Sequence, residues 1–347
     1  MRILQAMAGG RHGGAESFFL RLAMSLNKRN DVEQHVLVKK RSVWTAPLRA
    51  EKISTQELAF GGLMDLGSKL RFGREIRDFD PDVVLTWMNR ATAYCPRRKP
   101  GQRFVHVARL GGYYDLKYYR HCDHLVGNTR AIVDYLVAEG WPADRAHYLP
   151  NFVDARPLPA LPRADFDTPD DAPLLVALGR LHENKALDIL IRSLANVPDA
   201  YLWIAGEGPE RDNLAALARD CNVENRLRFL GWREDAAALY ATADIFVCPS
   251  RHEPLGNVVI EAWAQGCPVV AADASGPKAL IDDGDNGLLV AKEDVDGLSN
   301  ALNRLIAEPE TRQKLIERGR ETWQAEFTEQ AVVQHYMDFF ATVTEQV

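Results

Sequence analysis

Two glutamates, Glu253 and Glu261, stand in the run Arg251-His252-Glu253-Pro254-Leu255-Gly256-Asn257-Val258-Val259-Ile260-Glu261-Ala262. Pro254 and Gly256 mark a turn after the apolar run Ile245–Cys248, and a helix is expected next. Backbone amides around Gly256, Asn257 and Val258 would then be free at the helix start and aimed at an anion such as a phosphate. Glu261, about a turn deeper, could accept from a pair of ribose hydroxyls. Glu253, in the loop, could accept from sugar hydroxyls. Helix-face glutamates are ordinarily solvated. Glu261, however, lies among Val258, Val259, Ile260, Ala262 and Trp263, where an unpartnered carboxylate would be costly. A second run, Gly179-Arg180-Leu181-His182-Glu183-Asn184-Lys185, follows another apolar strand. Its two cations at a strand-to-helix turn could hold a diphosphate from two sides.

A glycine cluster, Gly9-Gly10-Arg11-His12-Gly13-Gly14-Ala15-Glu16, follows the first apolar run. Glycines let the backbone turn sharply and approach a ligand closely. The spacing departs from the dinucleotide fingerprint. Gly10 and Gly13 fit its second and third glycines, but Ala8 holds the place of the first. The second apolar run ends Val38-Lys39-Lys40, with no acid for a ribose hydroxyl, which disfavours an NAD-dependent dehydrogenase.

These loops need a scaffold, and the chain alternates strand-like and helix-like patterns twice. Ile3–Met7, Val36–Val38, Val83–Trp87, Phe104–Ala108 and Leu125–Val126 read as strands. Phe18, Leu22 and Leu26 repeat at helical spacing. Then Leu174–Leu178, Tyr201–Ala205, Leu227–Leu230, Ile245–Cys248 and Val269–Ala272 repeat the scheme, and beyond about residue 293 the pattern is helical. Alternation of this kind implies parallel sheets with helices on both faces. Residues 155–173 hold five prolines (157, 159, 162, 169 and 173) and read as a linker. The expectation is an α/β chain of two Rossmann-like domains, 1–155 and 156–327, facing each other across a central cleft.

Composition agrees with an ordinary folded chain. Of 347 residues, 46% are hydrophobic and 26% charged, which excludes disorder and low-complexity scaffolds. The apolar runs are strand-sized, well short of a membrane span. The N-terminal apolar stretch is too short and too soon polar for a signal peptide. The cysteines Cys95, Cys122, Cys221, Cys248 and Cys267 are scattered, as expected of reduced thiols in a cytoplasmic protein. The net charge of −6 is unevenly spread. Residues 1–155 hold 24 basic and 16 acidic side chains, and residues 156–347 hold 18 and 32. The basic half is expected to meet something anionic, through Lys39, Lys40 and Arg41 and through Arg97, Arg98, Lys99 and Arg103. The basic clusters lack interleaved aromatics, so nucleic acid is not expected.

Taken in order, these features resemble glycosyltransferase family 4, a retaining group with the GT-B fold, over essentially the whole chain. The resemblance rests on EPLGNVVIEAWAQGCPVVA, GRLHENKALDILI, WIAGEGPER, FLGWRED, DIFVCPS, PNFVD and GGRHGGAE. PNFVD has Phe152 where the family usually has glycine. The resemblance implies that Arg180 and Lys185 bind the diphosphate of a nucleotide sugar. Glu261 would hold the ribose, and Glu253, with the amides of Gly256, Asn257 and Val258, the donor sugar and β-phosphate. It implies further that Gly206-Glu207-Gly208 and Gly231-Trp232-Arg233 line the base site, and that Gly13 and Gly14 approach the phosphates from the first domain. A C-terminal helix, about residues 328–347, would cross back to that domain.

The family often places a histidine near the reacting sugar at a strand end. Here His106 reads as mid-strand and Arg109 as the strand end, and either could take that role. RLGGYYDLKYYRHCDHLVGNT more narrowly resembles bacterial enzymes of lipopolysaccharide-core and envelope-glycan synthesis. The implied reaction moves a hexose to an anionic glycolipid or glycan acceptor, with no cofactor and no metal, at the cytoplasmic face of the membrane. A nucleotide-sugar epimerase of the same fold and a non-catalytic nucleotide-sugar-binding protein remain as alternatives.

Overall fold

The computed structural model describes residues 1–10, 14–62 and 65–345. The chain forms two units, Met1–Phe152 with Glu329–Val347, and Val153–Thr328.

The first unit runs β1 (Arg2–Met7), α1 (Gly14–Asn27), β2 (Glu33–Lys39), α2 (Thr45–Ala50), β3 (Ser54–Leu58), α3 (Leu66–Phe79), β4 (Val83–Trp87), α4 (Met88–Tyr94), β5 (Val105–Leu110), β6 (His124–Gly127), α5 (Arg130–Ala138) and β7 (Ala146–Tyr148). Its seven strands lie in the order β3-β2-β1-β4-β5-β6-β7, all parallel. Strands with both faces covered are near-continuous apolar runs, and β4 is buried at every position. α1 turns Phe18, Phe19, Leu22, Ala23 and Leu26 onto the sheet. Side-chain caps start two helices. Asp65 accepts from the Ser68 amide at 2.8 Å ahead of α3, and Thr129 from the Ile132 amide at 3.2 Å ahead of α5. Strand order reverses between β1 and β4, and in such sheets ligands bind beyond the strand ends at that switch.

The second unit runs β8 (Leu174–Leu178), α6 (Leu187–Leu194), β9 (Tyr201–Ala205), α7 (Arg211–Asp220), β10 (Leu227–Gly231), α8 (Ala236–Thr242), β11 (Ile245–Cys248), α9 (Asn257–Ala264), β12 (Val269–Ala272), α10 (Ser275–Leu280), β13 (Leu288–Val290), α11 (Val295–Ala307) and α12 (Pro309–Glu326). Its parallel sheet has the order β10-β9-β8-β11-β12-β13, with the switch between β8 and β11. A last helix, α13 (Glu329–Thr344), belongs to the first unit. Its Val332, Val333, Tyr336, Met337, Phe340 and Val343 join the core around α1 and β4.

Two strands escape the apolar pattern, and a third, LLV, is apolar but short. β3 is the half-buried edge run STQEL, β7 is the short AHY, and β13 is a three-residue edge strand. The proline-rich stretch is also more than a tether. Arg163 pairs with Asp244 at 3.0 Å and donates to the Ala172 and Thr242 carbonyls. Phe166 packs on Trp203, whose indole donates to Thr168. From Leu161 onward the segment is therefore a strap on the second unit.

Candidate functional site

In the second unit, the loops that leave β8, β9, β11 and β12 are knitted together at the strand ends. Gly179 donates to Ala205 O at 3.0 Å, Leu181 to Glu207 O at 2.9 Å, and Gly206 to Gly231 O at 2.7 Å. Gly206 has a positive φ of 144°, and a Cβ there would strike the Gly179 carbonyl, so only glycine allows the approach. His252 donates to Asn184 O at 3.2 Å, joining the Arg180 loop to the Glu253 loop.

On this frame the predicted residues take definite places. Lys185 Nζ lies 2.5 Å from Glu253 Oε2, with the carboxylate buried. The other carboxylate oxygen accepts from the Gly256 amide at 3.4 Å. An ammonium has three donors, so Lys185 keeps hydrogen-bonding capacity beyond Glu253. Arg180 is exposed and makes no ion pair among the described residues. Gly256 caps α9 in the left-handed region, φ 69°, and Asn257 and Val258 open that helix. Glu261 accepts from the Tyr240 hydroxyl at 3.0 Å. Burial, and then the neighbouring carboxylate, push the Tyr240 phenol well above its ordinary pKa, so Tyr240 remains a donor to Glu261. Beyond β10, Trp232 is 71% exposed, and Arg233 is held by Asp235 at 2.5 Å.

Sequence reasoning did not single out two parts of this arrangement, nor one residue in the glycine cluster of the first unit. Tyr240 comes from α8, and nothing local to Glu261 announces it. Gly276 donates to the Glu253 carbonyl at 2.7 Å, and a Cβ there would collide with that carbonyl. The Ser275-Gly276-Pro277 turn after β12 was a readable signal. The residue in the first unit is Glu16. Its buried carboxylate accepts from the Gly10 amide at 2.9 Å, six residues back, which ties Gly10 to the first turn of α1. Gly14 opens α1 with open space where a Cβ would stand. Gly13 lies outside the described residues.

The two candidates for the reacting-sugar position need correction, because the structure buries both. β5 runs to Leu110, so Arg109 is inside the strand and 1% exposed. Its guanidinium donates to the Tyr336 hydroxyl at 2.7 Å and to Asn151 Oδ1 at 2.5 Å. It also stacks on the Phe18 and Trp87 rings, at 4.6 and 4.8 Å from their centres. Arg109 thus ties α13 and the 150–152 segment to the sheet. His106 sits near the start of β5, away from the ligand side. Its Nε2 meets Thr86 Oγ1 at 3.0 Å, and burial lowers its pKa to about 4. It is a neutral core histidine. The basic run Arg97–Lys99, with Arg103, precedes β5, so it also lies on the side where the strands begin.

Comparison with known proteins places this geometry. Residues 12–156 match the family described as Glycosyltransferase Family 4, and residues 162–322 match Glycosyl transferases group 1. The chain is 37% identical over 335 residues to the lipopolysaccharide core biosynthesis glycosyltransferase LpsE of Rhizobium meliloti, covering 96% of this chain and 97% of that one. It is 36% identical to LpsD of the same organism, over 95% and 96% of the two chains. Among solved structures, Anabaena HepE in complex with UDP superposes with a TM-score of 0.83 at 21% identity, over 99% of this chain and 100% of that one.

Proposed function

This chain belongs to glycosyltransferase family 4, and from that premise we propose that it moves a hexose from a nucleotide diphosphate sugar to a hydroxyl of a lipopolysaccharide-core or related envelope glycan, with retention of configuration. The observation that carries the reading is the loop cluster of the second unit, where Arg180, the Lys185–Glu253 pair, the α9 amides and Glu261 gather beyond the strand ends. The names of its relatives LpsE and LpsD support the acceptor class. The second unit holds the donor and the first the acceptor.

In the reaction, the bond from the anomeric carbon to the β-phosphate oxygen breaks as the acceptor oxygen bonds to the same face. The acceptor proton passes to the departing phosphate oxygen, which yields a nucleoside diphosphate. Negative charge grows on that leaving group. Arg180, Lys185 and the amides at Asn257 and Val258 are preorganised toward it, while the Gly256 amide holds the Glu253 carboxylate; this is electrostatic stabilisation of the transition state. Glu261 takes the ribose hydroxyls, Glu253 the donor sugar, and Trp232 and Arg233 flank the base. The cations and amides do for the diphosphate what a divalent ion does in other transferases, so the reaction runs without one. The enzyme works at the cytoplasmic face of the membrane, as a peripheral protein.

The test is turnover of UDP-, GDP- and ADP-hexoses by the whole chain with a core-glycan acceptor, in excess EDTA. Arg180→Ala and Lys185→Ala should each lower turnover by on the order of 10²–10³, the loss typical of one transition-state donor. Near-normal turnover in both variants would overturn the assignment. Activity abolished by EDTA and restored by Mg²⁺ would overturn metal independence.

A further inference from the structure

The first unit has a cavity of about 300 Å³ where its strands end, lined by Gly62, Lys69, Asn89, Arg90, Ala93, Tyr94 and Tyr118. These residues come from four places: the loop after β3, the first turns of α3, α4 directly after β4, and the segment after β5. In a parallel sheet all four lie on the strand-ending side, the side on which such folds bind ligands.

The lining is chemically one-sided. It contains two cations and no acid, and neither Lys69 nor Arg90 forms an ion pair among the described residues. Lys69 Nζ stands 6.0 Å from the centre of the Tyr94 ring. Tyr94 itself is fixed. Its hydroxyl accepts from the Gly62 amide at 2.8 Å and donates to the Gly62 carbonyl, and its ring meets Phe60 edge-on at 5.3 Å. Tyr118 is 39% exposed and offers a ring face, and Asn89 offers an amide. A rigid aromatic wall suits the apolar face of a sugar ring. An amide suits its hydroxyls. An ammonium and a guanidinium converging on one space suit a doubly charged oxyanion. The volume is at the lower end for ligand pockets, enough for one substituted sugar.

We propose that this cavity is a subsite for a phosphorylated sugar, with Lys69 and Arg90 on the phosphate, Asn89 on a ring hydroxyl and the tyrosines against the ring. The word acceptor rests on the glycosyltransferase reading, and the binding chemistry does not. On that reading, the enzyme selects a glycan already carrying a phosphate near the hydroxyl it modifies. A reaction that phosphorylates the glycan must then come before this transfer.

Calorimetry on the whole chain tests this with hexose 6-phosphate, hexose 1-phosphate, the free hexose, inorganic phosphate and UDP. A second arm uses phosphatidylcholine vesicles with and without a phosphorylated glycolipid, to separate a lipid-borne sugar phosphate from a soluble one. A hexose phosphate, or the glycolipid, should bind at least about tenfold tighter than its uncharged or glycolipid-free control, the worth of a charge-assisted hydrogen bond. The Lys69→Ala/Arg90→Ala double variant should lose that difference while keeping its melting temperature and UDP affinity. Lys69→Arg/Arg90→Lys should recover part of it. No preference for the phosphorylated ligand in either arm, or a preference that survives the double variant, would overturn the proposal. Inorganic phosphate binding as tightly as the sugar phosphates would overturn its sugar part. Loss of UDP binding in wild type, with the sugar phosphate still bound, would instead break the donor reading and leave this subsite standing.

Discussion

Lys185 and Glu253 form a half-buried ion pair, and that pairing separates their roles from those of Glu261. Glu253→Ala leaves Lys185 without its carboxylate. Free nucleoside diphosphate should then bind at least as tightly as to wild type, because the ammonium no longer shares its charge. The nucleotide sugar should bind more weakly, having lost the partner for its hydroxyls. Glu261→Ala should behave differently. A hydrogen bond to a charged group contributes about 1.5–3 kcal/mol, so both nucleotide and nucleotide sugar should weaken by roughly 10–100-fold. Tyr240→Phe should weaken both by less, since it removes only the hydroxyl that orients Glu261. Calorimetry with UDP and UDP-glucose reads all three, and free UDP weakened by the Glu253 change alone would reverse the assignment. The two glutamates and two cations were legible because each sits in a loop or helix start marked by glycine and proline. His106 reads as mid-strand and lies inside its strand, but Arg109 reads as the strand end for a physical reason. A buried arginine is tolerated only with partners, and here they are Asn151 and Tyr336, 42 and 227 residues away in sequence. No local pattern could supply them, so the strand was expected to end before the charge.

Individual elements show the same division. Central strands such as β8, and β4 apart from Thr86, are apolar runs and could be read directly. Edge strands β3 and β7 carry polar residues because one side lacks a neighbour, and their pattern resembles a loop. β7 brings a consequence that only packing reveals. His147 Nε2 lies 3.0 Å from His124 Nδ1 of β6, and the His147 ring packs on Phe339 of α13 at 4.6 Å. Burial, followed by the neighbouring His124, lowers the His147 pKa to about 4, and burial lowers His124 as well. His106 in β5 is likewise held at about 4. These histidines have folded pKa values below the ordinary imidazole value of about 6.5, so the unfolded chain binds more protons. Their contribution to stability is present above about pH 6.5 and is lost as pH falls toward about 4. At 1.36 kcal/mol per unit, His106 alone contributes on the order of 3 kcal/mol across that window. The calorimetric transition of the first unit should therefore fall steeply in temperature over that range, largely before the carboxylates titrate. His147→Phe, which keeps the contact with Phe339, should flatten the slope. An unchanged slope in His147→Phe, together with a flat profile in wild type, would show that neither histidine is held neutral.

At the scale of the whole molecule, the excess of basic over acidic side chains in residues 1–155 raises the question of which surface meets an anionic partner. Charge counting pointed to Arg97–Lys99 with Arg103 as readily as to Lys39–Arg41. The topology separates them. The first cluster precedes β5 and the second follows β2, so they lie at opposite ends of the strands. Arg98 is also partly satisfied, at 3.6 Å from Asp123. On the strand-ending side, α3 presents Leu66 and Leu70, 66% and 73% exposed, beside Lys69. Large apolar side chains one helical turn apart, flanked by cations, suit the boundary of an anionic bilayer. No helix among the described residues is long and apolar enough to cross a membrane. Attachment through this face would be peripheral, and its electrostatic part would be screened by salt. On the proposed function, a membrane-borne acceptor would have to reach the strand-ending side of the first unit, so the α3 face, rather than the Arg97 cluster, should make the contact. The chain should sediment with anionic liposomes at low salt and be released by several hundred millimolar NaCl, where the screening length is only a few ångströms. Leu66→Ser/Leu70→Ser should weaken sedimentation severalfold at low salt without changing UDP affinity. Reversing Arg97, Arg98 and Lys99 to Glu should weaken it much less. The opposite ranking would place the membrane at the far end of the sheet. Wild type that ignores anionic liposomes and glycosylates a neutral soluble glycan equally well would leave the basic half as a solvated surface.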